Sequence, residues 1–314
     1  MRAYLGIEIG GTKLQLVLGD EAGKILERRR LAVDSAEGAV GIRAQIQHTL
    51  PELMALAQVA AVGVGFGGPV AWRTGRICRS HQVEGWSEFD LRGWLHELAG
   101  VPVFVDNDAN VATLGEAKHG TGVGFNPVFY VTLGSGVGGG LVSDGRIYHG
   151  TAPGEAEIGH VRLDRAGTIV EARCSGWAVD AKIRALKTSE PGSLLCYMLD
   201  EKPGGEARHL LPALERKDAG AVRILQETAE DLALGLSHVT HLFHPQIIII
   251  GGGLSGVGEP LRAAVEEALR GFTMDAFAPG PQVALAVLRE DAVPVGALDL
   301  ARTRLEDGNS VEKA

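Results

Sequence analysis

The chain has 314 residues, 45% hydrophobic and 22% charged, with a net charge of −9. This is the balance of a soluble folded protein, long enough for one large domain or two ordinary ones, and it excludes disorder. An acidic chain with 5% aromatic residues argues against nucleic acid or an anionic membrane as its main partner.

Taken in chain order, residues 3–9, 13–19 and 25–31 are apolar runs joined by Gly10-Gly-Thr12 and by a turn over 20–23, which predicts a three-stranded meander. Apolar residues at helical spacing over 36–58 (Val40, Ile42, Ile46, Leu50, Leu53, Leu56) predict a helix that Pro51 kinks or interrupts. A buried strand over 59–66 ends in Gly67-Gly68-Pro69. A short helix over 90–98, a strand over 101–105 and a helix over 109–118 follow. Residues 127–133 are again a strand, ending in the glycine run 134–140. After it, 141–142, a turn over 143–145 and 146–148 repeat the opening pattern.

A long helix over 219–242 leads into a strand over 246–250 and Gly251-Gly252-Gly253, as the first helix leads into 59–66 and its glycines. The repetition predicts an internally duplicated α/β architecture, with two halves facing each other across a cleft lined by glycine loops. The domains are expected at 1–118, completed by a C-terminal helix at about 295–314, and at 119–294. Residues 188–218 read as an irregular insertion, and the tail from Glu306 as frayed. The opening residues run straight into a strand, so no signal peptide is expected, and the longest purely aliphatic run is far below the ~20 residues that span a bilayer. Three cysteines without a CxxC pair suit free thiols in a reducing cytoplasm.

The 44 glycines are roughly twice the usual ~7% share, and they sit in short clusters between apolar runs, which excludes collagen and low-complexity linkers. Strand-end glycine clusters have three readings. One is turn geometry alone. A second is the dinucleotide fingerprint, since Gly63, Gly65, Gly68 and Gly134, Gly136, Gly139 both fit GxGxxG. That fingerprint must open a helix, and neither cluster does. The third, preferred here, is a phosphate site in which the backbone N–H groups of hairpin turns form anion-binding nests. Thr12 and Ser135 occupy comparable places in the two turns and would add hydroxyl donors. Glu8, just before the first turn, would reach a Mg²⁺ ion through water.

Five motifs occur in order: Glu8-Ile-Gly-Gly-Thr-Lys13, Asn107-Asp-Ala-Asn-Val-Ala-Thr-Leu-Gly-Glu116, Leu133-Gly-Ser-Gly-Val-Gly-Gly-Gly140, Gly154-Glu-Ala-Glu-Ile-Gly-His160 and Ile250-Gly-Gly-Gly-Leu254. Together they resemble the ROK family of bacterial sugar kinases and related repressors, within the actin-like ATPase superfamily, from about residue 3 to about residue 300. The resemblance implies the duplicated actin-like, ribonuclease H-like fold and a kinase that moves the ATP γ-phosphate to a hexose hydroxyl, glucose by default. It implies phosphate contacts from Gly10, Gly11, Thr12, Lys13, Gly134, Ser135, Gly136, Gly252 and Gly253. It implies a homodimer or homotetramer as well.

Phosphoryl transfer needs positioning, charge neutralisation and a base for the attacking hydroxyl. The resemblance makes Asp108 that base, at a position that also suits a helix N-cap. Asn107 becomes a sugar-hydroxyl ligand, and Gly67 lies beside the substrate. Asp106 serves to hold the loop. Glu157 and His160, three apart, would share one face of a helix or tight turn and grip adjacent hydroxyls. Glu171, in Thr168-Ile-Val-Glu171, resembles the family's third sugar-contacting acid. Gln82 and Trp86 fall in a loop resembling the family's Asn-x-x-Gly-Trp segment, where Trp86 also reads as a packing residue.

Two departures from the family stand out. Glu8 replaces the more usual Asp. The CxCGxxGCxE run that binds zinc in many members is matched by Leu163-Asp-Arg-Ala-Gly-Thr-Ile-Val-Glu171, without a cysteine, and Cys174 lies outside the pattern. No zinc is expected, and the loop is expected to be held by packing alone. The first strand begins at about residue 3, so no helix-turn-helix is expected ahead of it and a repressor is disfavoured. A kinase for fructose, mannose, allose, N-acetylglucosamine or N-acetylmannosamine, a polyphosphate donor, and a non-catalytic sugar-binding regulator remain as alternatives.

Overall fold

The computed structural model describes residues 2–34, 36–78, 83–151, 154, 156–199 and 203–311, the side chains of 309–311 excepted. Strands β1 (Ala3–Ile9), β2 (Lys13–Asp20) and β3 (Ile25–Ala32) form the antiparallel meander read from the sequence, with Glu8 opposite Gln15. Helix α1 (Gly38–Met54) contains Pro51, so of the kink or interruption expected there the interruption is absent; the ring nitrogen only withholds the N–H that would bond four residues back. Strand β4 (Val59–Phe66) lies parallel to β1, and a small hairpin of β5 (Val70–Ala71) and β6 (Arg76–Ile77) follows. Helix α2 (Leu91–Ala99), strand β7 (Val103–Asn107) and helix α3 (Asp108–His119) complete this stretch. β7 is parallel to β4, so the sheet order is β3-β2-β1-β4-β7. β7 starts two residues later than the sequence suggested, after Pro102, whose ring nitrogen cannot donate to a ladder.

The second sheet repeats this order. β8 (Val128–Leu133), β9 (Val137–Ser143) and β10 (Arg146–Ile147) are its meander. β11 (Ile247–Gly251) lies parallel to β8 and β12 (Gln282–Leu285) parallel to β11, giving β10-β9-β8-β11-β12. The duplicated α/β architecture is thus present strand for strand. Between β10 and β11 lie α4 (Val170–Cys174), α5 (Gly176–Ser189), α6 (Leu194–Tyr197), α7 (Leu210–Glu215) and the long α8 (Ala219–Phe243). The supposed irregular insertion therefore contains two short helices and a 3₁₀ turn, Glu206–His209. Buried carboxylates anchor it, with Asp180 accepting the Gly205 and Ala207 N–H groups and Asp218 accepting that of Leu194. α9 (Glu259–Phe272) follows β11, and α10 (Ala292–Val311) closes the chain. α10 continues past Glu306, where fraying was expected, with Arg302 pairing to both Asp299 and Glu306 along its surface.

By packing, the chain divides into two compact units. One comprises Met1–Val123, Gly140–Glu155 and Glu290–Ala314, the other Gly124–Gly139 and Ala156–Arg289. In the first unit, alternation along β1 sends Leu5, Ile7 and Ile9 into a core with Ile42, Ile46 and Leu50 of α1 and Leu91 and Leu95 of α2. Tyr4 faces the other way, onto Leu298 and Ala301 of α10. α10 lies so close to the sheet that a Cβ on Gly6 would stand 2.8 Å from the Pro294 carbonyl oxygen, and one on Gly115 or Gly296 would strike the backbone of the facing helix. Part of the glycine surplus therefore serves helix packing rather than a ligand. No helix among the described residues is long and apolar enough to cross a membrane.

Candidate active site

In the first unit, three backbone endings converge. The turn after β1 is closed by the Gly10 N–H donating to the Lys13 carbonyl at 2.9 Å, and the Gly67 N–H after β4 donates to the Ile9 carbonyl at 2.8 Å. The amino end of α3 is the third. A Cβ on Gly67 would stand 3.5 Å from Asp108 Oδ2, so the carboxylate lies directly against this glycine. Gly67, Gly10 and Gly11 also line a small cavity with Ile9, Phe66, Val83 and Trp86.

The helix cap differs from the expectation. Asn107, in extended conformation (φ −64°, ψ 144°), is the N-cap, and its side-chain oxygen accepts the N–H groups of Ala109 at 2.9 Å and Asn110 at 3.3 Å. Asp108 is already the first helical residue, because the cap needs non-helical dihedrals and Asn107 supplies them. A carboxylate in a first helical turn is favoured by the helix dipole. The Asn107 amide nitrogen donates to the Gly68 carbonyl at 3.1 Å, which fixes the side chain and leaves one N–H beyond that bond.

Asp106 does hold the loop. It is 2% exposed and accepts from the Asn107 N–H at 2.9 Å, from Asn110 Nδ2 at 3.0 Å and from His149 Nε2 at 2.7 Å. Glu8 accepts from Gln15 Nε2 at 2.7 Å and pairs with Lys13 Nζ at 3.3 Å. Burial pushes the Glu8 carboxyl above the usual carboxylate range, with Lys13 and Gln15 opposing it. The Lys13 ammonium is thus engaged by Glu8, while Thr12 at the tip of the turn is exposed. Trp86 is buried edge-on against Phe66 and Phe89, ring centroids 5.4 Å apart in each case, so it packs. Gln82 lies outside the described residues.

In the second unit the glycine turn is shorter than the sequence suggested. β9 begins at Val137, so Gly138, Gly139 and Gly140 are strand residues and only Gly134, Ser135 and Gly136 form the turn, closed by the Gly134 N–H on the Gly136 carbonyl at 2.9 Å. The strand glycines admit close neighbours, since a Cβ on Gly139 would lie 2.9 Å from the Ala156 carbonyl. Glu171, in the first turn of α4, touches this turn. Its Oε2 accepts the Val137 N–H at 2.8 Å, and a Cβ on Gly136 would stand 2.5 Å from that oxygen. The Gly176 N–H at the start of α5 donates to the Gly134 carbonyl at 2.7 Å. Gly252, with φ 79°, passes against Leu133, the residue before this turn, where a Cβ would meet the backbone at 2.6 Å.

Glu157 and His160 flank a single 3₁₀ turn, Ile158–His160, in which residues three apart eclipse one another. Both are exposed, and neither side chain has a hydrogen bond among the described residues. The loop after them is not held by packing alone. The Leu163 N–H donates to the Thr168 carbonyl at 2.8 Å, the Val170 N–H to the Val161 carbonyl at 3.0 Å, and Asp164 Oδ1 accepts from the Gly167 and Thr168 N–H groups. The Thr168 hydroxyl first, and then these N–H groups, hold the Asp164 carboxyl below its usual range. A hydrogen-bonded hairpin thus occupies the stretch that matches the cysteine-rich run. Among the described residues no group of three or more His, Cys, Asp or Glu side chains is arranged to hold a metal ion. Cys174 is fully buried, and burial pushes its thiol up to about 12.

Sequence reasoning missed His149, Asn110, Gln15 and Asp164. Gln15 was legible from register, since a tight turn over 10–12 sets it opposite Glu8. His149 carried no local signal, because its partner lies 43 residues away.

Residues 4–304 match the model of the ROK family. The chain is 32% identical to the glucokinase of Streptomyces coelicolor over 96% of its own length and 98% of that protein. It is 30% identical to the glucokinase of Thermotoga maritima, with 96% and 98% covered. Among solved structures, a ROK family glucokinase from Streptomyces griseus, in complex with glucose and AMPPNP, superimposes with a TM-score of 0.82 at 32% identity, covering 96% of this chain and 99% of that one.

Proposed function

Since the chain belongs to the ROK family, we propose that it is an ATP-dependent glucokinase, transferring the γ-phosphate of ATP to a hydroxyl of glucose. The observation that carries this reading is the position of the Asp108 carboxylate, against Gly67 and at the amino end of α3, beside the Gly10–Gly11 turn. Asp108 takes the proton of the attacking hydroxyl as its oxygen bonds to phosphorus and the ADP oxygen leaves. Asn107 offers its remaining amide N–H to a sugar oxygen, and Glu157 and His160 grip further hydroxyls from one turn. The backbone N–H groups around Gly10–Thr12, Gly134–Gly136 and Gly252–Gly253 receive phosphate oxygens, with the hydroxyls of Thr12 and Ser135 as additional donors.

Mg²⁺ prefers oxygen ligands, keeps several waters and is commonly held through one or two carboxylates. Glu8, a single carboxylate steadied by Gln15 and Lys13, fits that outer role. When bound, the ion neutralises charge on the phosphate oxygens. The three free thiols suit a reducing cytoplasm, and assembly as a homodimer or homotetramer is expected. A coupled assay of ADP release over glucose, mannose, fructose and the N-acetylhexosamines tests the reading. Glucose should give the highest kcat/KM, and a panel without sugar-dependent ADP release would remove the proposal.

A further inference from the structure

At the edge of the first sheet, beyond β7, lies a second pocket of about 270 Å³ that the reaction does not use. Its walls come from four places in the same unit: Trp72 and Arg73 of the β5–β6 turn, Arg92 of α2, Phe104 of β7, and Arg304 of α10. The guanidinium groups of Arg73 and Arg304 lie over the Trp72 ring, 4.6 and 4.7 Å from its centroid. Arg92 is tied to the same turn by a 3.2 Å hydrogen bond to the Arg73 carbonyl.

Two carboxylates also line the pocket, and both are committed elsewhere. Asp106 is bonded to His149, Asn107 and Asn110, and Asp307 holds Arg146 through two bonds of 2.7 and 2.9 Å. Among the described residues no carboxylate pairs with Arg73, Arg92 or Arg304. Three cations therefore line one cavity of an acidic protein, and neither carboxylate there pairs with any of them. The Trp72 indole N–H is also buried and has no acceptor among the described residues.

We propose that this pocket binds a small phosphorylated metabolite, its phosphate held by Arg73, Arg92 and Arg304. Guanidinium forks match phosphate oxygens, and three of them exceed what one carboxylate can use. The volume is near the lower end of the ~300–1,000 Å³ of ligand pockets, and Trp72, Phe104 and Leu300 give apolar wall, so an organic group of hexose size accompanies the phosphate. Trp72 stacks on His149, centroids 4.1 Å apart and planes at 19°, and His149 holds Asp106. The bound molecule therefore sits one stacked ring from the loop that carries Asp108.

The test is calorimetric titration of the full-length protein, presaturated with glucose, Mg²⁺ and a non-hydrolysable ATP analogue, with glucose 6-phosphate and, separately, inorganic phosphate. Glucose 6-phosphate should bind once per chain and more tightly than inorganic phosphate. The double variant Arg73→Ala with Arg304→Ala should weaken it at least tenfold, with kcat and the KM for glucose unchanged as proof of folding. No binding to the presaturated protein, equal affinity for the two probes, or undiminished binding by the variant would each overturn the proposal.

Discussion

Nε2 of His149 lies 2.7 Å from Oδ2 of Asp106, with both side chains almost fully buried. The pair fixes the carboxylate whose other oxygen receives the Asn107 N–H and Asn110 Nδ2, and so orients the residues on either side of Asp108. His149→Ala leaves Asp106 buried and short of a donor. A small displacement of a reacting group can cost up to ~10²-fold in rate. We expect kcat to fall about 10–100-fold with little change in the KM for ATP, by steady-state kinetics. An unchanged kcat would show that the pair has no part in placing the base.

Glu171 was read from the sequence as a sugar ligand, yet one of its oxygens receives the Val137 N–H beside the Gly134–Gly136 turn. Glu171→Gln keeps the shape but weakens this charge-assisted bond. The KM for ATP should therefore rise along with that for glucose. A residue that touched sugar alone would move only the sugar constant, and initial-rate measurements with each substrate varied in turn separate the two.

The hairpin closed by Asp164 leads to a prediction about metal. Activity lost on treatment with a chelator should return fully with Mg²⁺ alone. A preparation that needs zinc for recovery would contradict the reading of this loop. Asp164→Ala, which releases the Gly167 and Thr168 N–H groups, should raise the KM for glucose.

Asp218 caps α8. Burial raises its carboxyl pKa, but bonds from the Leu194 and Ala221 N–H groups and the Ser193 hydroxyl outweigh this, so the net direction is down. A depressed folded value means that the stabilisation is complete above the ordinary aspartate pKa of ~3.9 and is lost as pH falls through the depressed value. Asp218→Ala should cost about 1 kcal/mol at pH 7. In thermal unfolding, the gap between variant and wild type should narrow as the pH is lowered from the ordinary aspartate value through the depressed one. A gap that is constant across that window would contradict the assignment.

The duplicated fold was legible because short continuous apolar runs and glycine turns recur in the same order in both halves, and local propensity agrees with the tertiary outcome there. The candidate site was legible only where chain neighbours make it. Asn107 and Asp108 stand together in sequence, but which of them caps α3 depends on where the backbone turns helical. The long glycine run misled because a strand glycine required by a close carbonyl looks the same in sequence as a turn glycine. His149 and the arginines around Trp72 were invisible, since the turn after β5, α2 and α10 meet only when the sheet edge has formed.

The central claim is that Asp108 is the base of a glucose kinase. Removing a general base typically costs about 10²–10⁴-fold. Measured by sugar-dependent ADP release, Asp108→Asn should lose activity on that scale while still binding glucose as the wild type does. A variant that phosphorylates glucose at the wild-type rate would contradict the account.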